Sequence, residues 1–144
     1  MKNKKYFETF IEYLFLLLLG GSIYYGIEIL YRGYSHIAMV LVGGLCFIEI
    51  GLINELISWD MKFWKQVLIG DVLVLITEFY SGCILNLWLG LNIWDYSNLP
   101  FNILGQISLY FAILWIPIVA IAIILDDWAK YILSKGERPR YIWK

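Results

Sequence analysis

The residues of this sequence with the clearest chemical potential are carboxylates that lie inside long apolar stretches. Glu28, Glu49, Asp71 and Glu78 are all placed in this way. A charged side chain at the centre of a bilayer costs about 2.5–3.5 kcal/mol on insertion scales, whereas each large aliphatic residue gains only about 0.3–0.6 kcal/mol. Glu78 lies near the centre of its stretch. We therefore expect it to be protonated, paired or in a hydrated cavity, and not exposed to lipid as an anion.

Polar and small residues recur at helical spacing around Glu78. Asp71, Glu78, Gly82 and Asn86 follow one another at i, i+7, i+11 and i+15. This spacing places all four on one face of a helix. We expect that face to point into the protein.

A second group of polar residues is expected to meet this face. Asn102 and Gln106 are spaced i and i+4 at the start of the predicted fourth helix, and Glu49 lies near the middle of the second. Polar groups inside a membrane serve as interhelical hydrogen-bonding residues or line routes for ions and solutes. Both hypotheses remain open for Glu78, Asn86, Asn102 and Gln106.

Another candidate site lies at the C-terminal end of the predicted first helix. Glu28 and Arg32 are spaced i and i+4 in the favourable order for an ion pair. One interpretation is a structural ion pair at the helix end. The alternative is an outward-facing binding site completed by His36 and by Asp95 in the second outer loop.

The segment 94–102, WDYSNLPFN, is unusual for a membrane loop because it combines aromatic and polar residues with few flexible ones. Two interpretations are open. The segment folds back into the mouth of the helices as an ordered plug, or it is an interfacial turn anchored by its aromatic residues.

Four apolar stretches are expected to position these residues. The chain has 144 residues, of which 61% are hydrophobic and 16% are charged. The hydrophobic fraction is well above that of a soluble domain. A spanning helix needs about 20 mostly apolar residues. The sequence predicts an all-α, single-domain membrane protein, a compact bundle of four transmembrane helices near residues 11–31, 37–57, 66–89 and 103–125. The tail 126–144 is predicted to be amphipathic, with Asp126 and Asp127 solvated.

The basic residues predict the orientation of these helices. With four helices, one side of the membrane receives ten basic residues and the other receives only Arg32. The ten are Lys2, Lys4, Lys5, Lys62, Lys65, Lys130, Lys135, Arg138, Arg140 and Lys144. Because basic residues concentrate on the cytoplasmic side, both termini are predicted to be cytoplasmic.

Several functional classes are disfavoured by composition. The net charge is -1, and no basic face for nucleic acid is evident. Cys46 and Cys83 form no CxxC motif, and His36 is the single histidine, so we expect no metal and no cofactor. Without a Ser/His/Asp set or a metal cluster, we do not expect an enzyme.

Four segments resemble a family of small bacterial membrane proteins, the CmpB-like ABC-transporter type IV family. The segments are EILYRGYSH (28–36), GGLCF (43–47), GLINE (51–55) and WDYSNLPFNILGQ (94–106), and the resemblance covers about residues 10–130. It implies a compact, multi-pass helical protein of the bacterial cytoplasmic membrane. The chain lacks GxxxxGK[ST], so it is not the ATPase of such a system. It is also short for a permease, so transport would require a homo-oligomer or a larger membrane complex.

These observations leave two functional hypotheses. The first is a transporter-like or permease-like component, with Glu78 at its centre and Glu28, Arg32 and Asp95 at its outer mouth. The second is an accessory or scaffold protein whose buried polar residues are structural and whose glycine-rich second helix contacts a partner.

Overall fold

The computed structural model describes residues 2–134 and 137–144, so Lys135 of the predicted basic tail lies outside the described residues. The main elements are four helices and one short hairpin. They are helix α1 (Lys2–Arg32), helix α2 (Ala38–Leu56), helix α3 (Phe63–Gly82), a π-helical segment (Cys83–Trp88), strand β1 (Asn102–Ile103), strand β2 (Ile107–Ser108) and helix α4 (Leu109–Ser134).

Within the described residues, four helices are long and apolar enough to cross a membrane, as the sequence predicted. The spans are Lys4–Arg32, Ala38–Leu56, Phe63–Trp88 and Leu109–Leu133. The third span includes the π-helical segment, which continues α3 without a break. The fold is therefore helical, with a two-stranded hairpin as a minor addition.

Successive helices run in opposite directions. Tyr13 near the start of α1 donates a hydrogen bond to Glu55 near the end of α2, and Lys130 near the end of α4 pairs with the same carboxylate. We call this the termini end. Arg32 at the end of α1 reaches the backbone of Ile93 at the opposite end, which we call the loop end.

The predicted boundaries of the fourth helix were wrong at both ends. The helix begins at Leu109, because residues 102–108 form an antiparallel hairpin in which Asn102 opposes Ser108. Leu104 and Gly105 have φ values of 51° and 69°, which a right-handed helix cannot contain. Asn102 and Gln106 therefore do not lie on a helix. At its other end α4 continues to Ser134, beyond the predicted end near residue 125.

Glycines allow α1 and α2 to pack closely. A Cβ atom at Gly21 would clash with the backbone oxygen of Val40, and one at Gly44 would clash with that of Leu17. Small residues at such positions let two helix backbones approach and gain dispersion contacts. Gly43 is likewise covered by Tyr24. These glycines of α2 thus contact the chain's own first helix, whereas the accessory hypothesis assigned this face to a partner.

Candidate functional site

Glu78 lies at the centre of the polar interior. Its side chain is only 2% exposed, and Asp71, Gly82 and Asn86 of the same predicted helix face are also buried. One carboxylate oxygen accepts a hydrogen bond from Trp115 Nε1 at 3.1 Å, and the other accepts one from the Tyr96 hydroxyl at 3.4 Å. Among the residues that the structure describes, no lysine or arginine forms an ion pair with Glu78.

A cleft of about 130 Å³ lies between α1 and α4 at the loop end. Its walls are aromatic and aliphatic, with one ion pair at the rim. The lining residues are Tyr24, Ile27, Glu28, Tyr31, Arg32, Tyr96, Phe111, Leu114, Trp115 and Ile118. The two residues that donate to Glu78, Tyr96 and Trp115, both line this cleft, so the carboxylate lies directly behind its wall.

Stacked rings give the cleft its shape. Tyr24 stacks on Trp115 with 5.4 Å between ring centroids, and Tyr96 stacks on Phe111 at 4.2 Å. Offset stacking fixes the rings more firmly than burial alone. Burial and the nearby carboxylate of Glu78 raise the pKa of Tyr96 well above its usual range, so its hydroxyl stays protonated and can donate.

The ion pair at the rim was predicted correctly. Arg32 Nη2 lies 3.0 Å from a Glu28 oxygen, and the two side chains are 19% and 14% exposed. Arg32 also donates to the backbone oxygens of Ile93 at 2.8 Å and Tyr34 at 3.2 Å, while Ser35 donates to Glu28. The pair therefore attaches the end of α1 to the loop that follows α3.

The two other members of the predicted outward-facing site lie elsewhere. His36 is exposed, and its Nδ1 accepts the backbone N–H of Ala38 at 3.1 Å at the start of α2. Asp95 is exposed and accepts the backbone N–H of Ser97 at 2.8 Å, and it also accepts the Ser97 hydroxyl. These hydrogen bonds lower the pKa of Asp95. Both residues stabilise local turns, so the predicted four-residue site does not assemble.

The loop between α3 and β1 folds back over the helices. Ile93 and Trp94 are 5% and 6% exposed. In the rest of segment 94–102 no residue is buried, and Phe101 is 79% exposed, so the plug interpretation applies to Trp94 alone. Asn86 accepts the backbone N–H of Ile93 at 2.7 Å and donates to Gln106 at 2.9 Å. Trp94 Nε1 donates to the backbone oxygen of Gln106 at 3.0 Å. Asn86 and Gln106 thus fix the loop, which favours the structural hypothesis for these two residues.

The remaining predicted residues are separate from the cleft. Glu49 accepts a hydrogen bond from Thr77 at 2.6 Å between α2 and α3. Asp71 is buried closer to the termini end of α3. Asn102 closes the hairpin, donating to the backbone oxygen of Leu99 at 2.8 Å. No group of three or more His, Cys, Asp or Glu residues within the described ranges is arranged to hold a metal ion.

Sequence reasoning missed the aromatic lining of the cleft. Part of a signal was present, because Tyr24, Glu28 and Tyr31 recur at i, i+4 and i+7 on α1, and Phe111 and Trp115 are spaced i and i+4 on α4. Such a pattern is hard to separate from an ordinary aromatic helix face. The loop residue Tyr96 gave no periodic signal at all.

The polar cluster at the termini end was also missed. Asp126 and Asp127, predicted to be solvated, are 0% and 6% exposed. Asp126 pairs with Lys130 at 3.0 Å, and Asp127 accepts hydrogen bonds from Asn54 at 2.7 Å and Tyr141 at 2.9 Å. These carboxylates stay buried because each has a charged or hydrogen-bonding partner.

Four apolar helices with a partly polar interior define a multi-pass integral membrane protein. Residues 19–138 match the family described as Putative ABC-transporter type IV (ABC_trans_CmpB). The match covers most of the chain, so this protein belongs to that family, as the sequence segments indicated. No curated protein and no solved structure matches the chain.

Proposed function

We propose that this protein is a permease-like component of a membrane transport system and that the cleft between α1 and α4 binds the transported solute. The observation that carries the proposal is the position of Glu78, a buried carboxylate without a cationic partner among the described residues, behind the cleft wall formed by Tyr96 and Trp115. Ionisable groups are costly inside a membrane and usually serve a function there. The family description, which refers to ABC-type transport, supports the same class.

The proposal includes an orientation in the bacterial cytoplasmic membrane. The positive-inside rule favours cytoplasmic termini, because nearly all the basic residues lie toward the termini end. The four helices would form a compact bundle, and the cleft at the loop end would then open near the outer surface. A chain without an ATP-binding motif would act within a homo-oligomer or a larger complex that supplies energy.

A cleft-filling substitution tests this function. Leu114 lines the cleft, so Leu114→Trp should occupy its space and abolish solute movement. The test uses ATP-supplied membrane vesicles from cells that make the wild-type protein, so that partner subunits of a larger complex are also present. Compared with vesicles from cells that lack the protein, they should retain at least one solute from a defined mixture several-fold differently, as measured by mass spectrometry. The change should disappear in Leu114→Trp. Leu68→Trp, at a 47% exposed position on α3, is the matched control and should behave as the wild type.

The accessory hypothesis makes the opposite prediction. It is favoured by the hydrogen bonds of Asn86 and Gln106, which are fully explained by attachment of the loop. If the folded wild-type protein alters the retention of no solute, or if Leu114→Trp leaves the change intact, the transport proposal is wrong and an accessory role is preferred.

A further inference from the structure

We infer that the cleft between α1 and α4 recognises an organic cation that carries an apolar group, such as a substituted quaternary ammonium ion. The inference rests on the proposed function and names the chemical class of its solute. Three features support it: the aromatic lining of the cleft, the balance of charge around it and an apolar groove beside it.

The aromatic residues of the cleft come from three separate elements. Tyr24 of α1, Trp115 of α4 and Tyr96 of the loop all line the cleft. Tyr24 and Trp115 stack on each other and Tyr96 stacks on Phe111, so a cation would meet the uncovered face of a ring. The faces of tyrosine and tryptophan attract cations, and sets of such rings bind quaternary ammonium groups. Trp115 and Tyr96 donate hydrogen bonds to the Glu78 carboxylate from their ring-edge groups. When Glu78 is ionised, this donation increases the electron density of each ring, which strengthens the attraction of the ring face for a cation.

The charges around the cleft also favour a cation. Glu28 and Arg32 neutralise each other, and the guanidinium is occupied by the backbone oxygens of Ile93 and Tyr34. Arg32 is therefore poorly placed to bind an anionic solute. Among the described residues, Glu78 has no cationic partner, and it lies behind the cleft wall. A cation against Trp115 and Tyr96 would supply the opposite charge that this buried group lacks among the described residues.

An apolar groove adjoins the cleft on the side toward the middle of the helices. It has a volume of about 120 Å³ and shares Tyr24, Ile27, Trp115 and Ile118 with the cleft. Its further walls include Phe47 and Ala122. An apolar substituent on the cation can enter this groove and leave water, which is favourable in proportion to the area removed from water.

Two probes of opposite charge and similar shape test the inference. The binding of radiolabelled benzyltrimethylammonium and phenylmethanesulfonate to the purified, detergent-solubilised protein would be measured by equilibrium dialysis. We expect saturable binding of the cation at least ten-fold tighter than that of the anion. Equal binding of both probes, or tighter binding of the anion, would overturn the inference without requiring any variant.

Matched variants then locate the cation. Glu78→Gln and Trp115→Leu should each weaken benzyltrimethylammonium binding at least ten-fold. Glu55→Gln, at the termini end, and Trp88→Leu, at an 80% exposed position, should leave it unchanged. Undiminished binding in both folded cleft variants would contradict the inference, and the two substitutions are independent in case one of them prevents folding.

Failure of the cation-binding inference can be distinguished from failure of the transport proposal. If Leu114→Trp abolishes a solute change in vesicles while the wild-type protein fails to prefer the cationic probe, the transport function stands and the cationic class is wrong. If the cation binds at the cleft but vesicles with wild-type protein alter no solute, the recognition inference stands as a binding property and the transport proposal fails.

Discussion

At the scale of single residues, the environment of each carboxylate decides what it can do. Glu28 has a permanent cation at 3.0 Å, whereas the donors to Glu78 within the described part of the chain are neutral. Breaking a buried ion pair leaves a charge without a partner and is more costly than breaking an exposed one. The partly buried Glu28–Arg32 pair is therefore costly to break. Glu78 has no cationic partner of this kind among the described residues and is held by Tyr96 and Trp115.

The ion pair gives a residue-scale prediction. Arg32→Met removes the partner of Glu28 and the donors to Ile93 and Tyr34, so it should destabilise the protein by about 2–4 kcal/mol. Thermal unfolding in detergent measures this as a lower Tm. Lys4→Met is the control, because its pair with Glu8 spans 3.9 Å with side chains 83% and 64% exposed, and it should change stability by less than about 0.5 kcal/mol.

A double variant separates the pair from other effects. Arg32→Met leaves the Glu28 carboxylate without its cationic partner, and Glu28→Gln removes that charge. The double variant should therefore recover part of the stability that Arg32→Met loses. Equal Tm values for Arg32→Met and the wild type would show that the pair contributes little.

At the scale of secondary-structure elements, close helix contacts and one irregular segment position the cleft. Helices α1 and α2 pack closely because glycines of both helices lie at their contact. This packing places Tyr24 and Glu28 of α1 opposite α4. In the π-helical segment that ends α3, Asn86 turns toward Ile93 and Gln106. Such segments are frequent at functional sites. Here the segment fixes the loop that carries Tyr96.

Two glycines of α1 give a matched prediction at this scale. Gly21→Ala would force a Cβ atom against the backbone of Val40 and should cost about 1–3 kcal/mol, as overpacking does. Gly26→Ala meets no atom within 4 Å, and alanine favours helix by about 1 kcal/mol, so stability should stay equal or rise. The Tm values of the two variants in detergent measure the difference. A similar loss of Tm in both would show that packing against α2 is not the cause.

At the scale of the whole molecule, the termini end is closed by the C-terminal segment. Phe63 donates its backbone N–H to Ile142 at 2.7 Å, and its ring lies 5.2 Å from that of Tyr141. Burial and the carboxylate of Asp127 raise the pKa of Tyr141 well above its usual range, so this hydroxyl remains a donor to Asp127. The loop end, by contrast, carries the cleft.

The orientation of these two ends is a prediction for the whole molecule. In a background without Cys46 and Cys83, single cysteines would replace Asn98 at the loop end and Glu8 at the termini end. If the termini are cytoplasmic, a membrane-impermeant maleimide should label the cysteine at 98 in intact cells. It should label the cysteine at 8 only after permeabilisation. The reverse pattern would invert the proposed orientation and place the cleft near the cytoplasm.

The sequence alone determined four apolar helices, the burial of the Glu78 face and the Glu28–Arg32 pair, because these depend on local length, periodicity and i,i+4 spacing. It misplaced the start of α4, because local hydrogen bonds and positive φ values in the hairpin overrode the apolar pattern.

Only the tertiary structure decided which polar groups meet. It joined Tyr96 and Trp115 to Glu78, left His36 and Asp95 in separate turns, and buried Asp126 and Asp127 with distant partners. These contacts connect residues on different elements, and their formation depends on how helices pack and on where a loop folds back. No spacing along one element encodes them, so the cleft was recognised only when the elements were assembled.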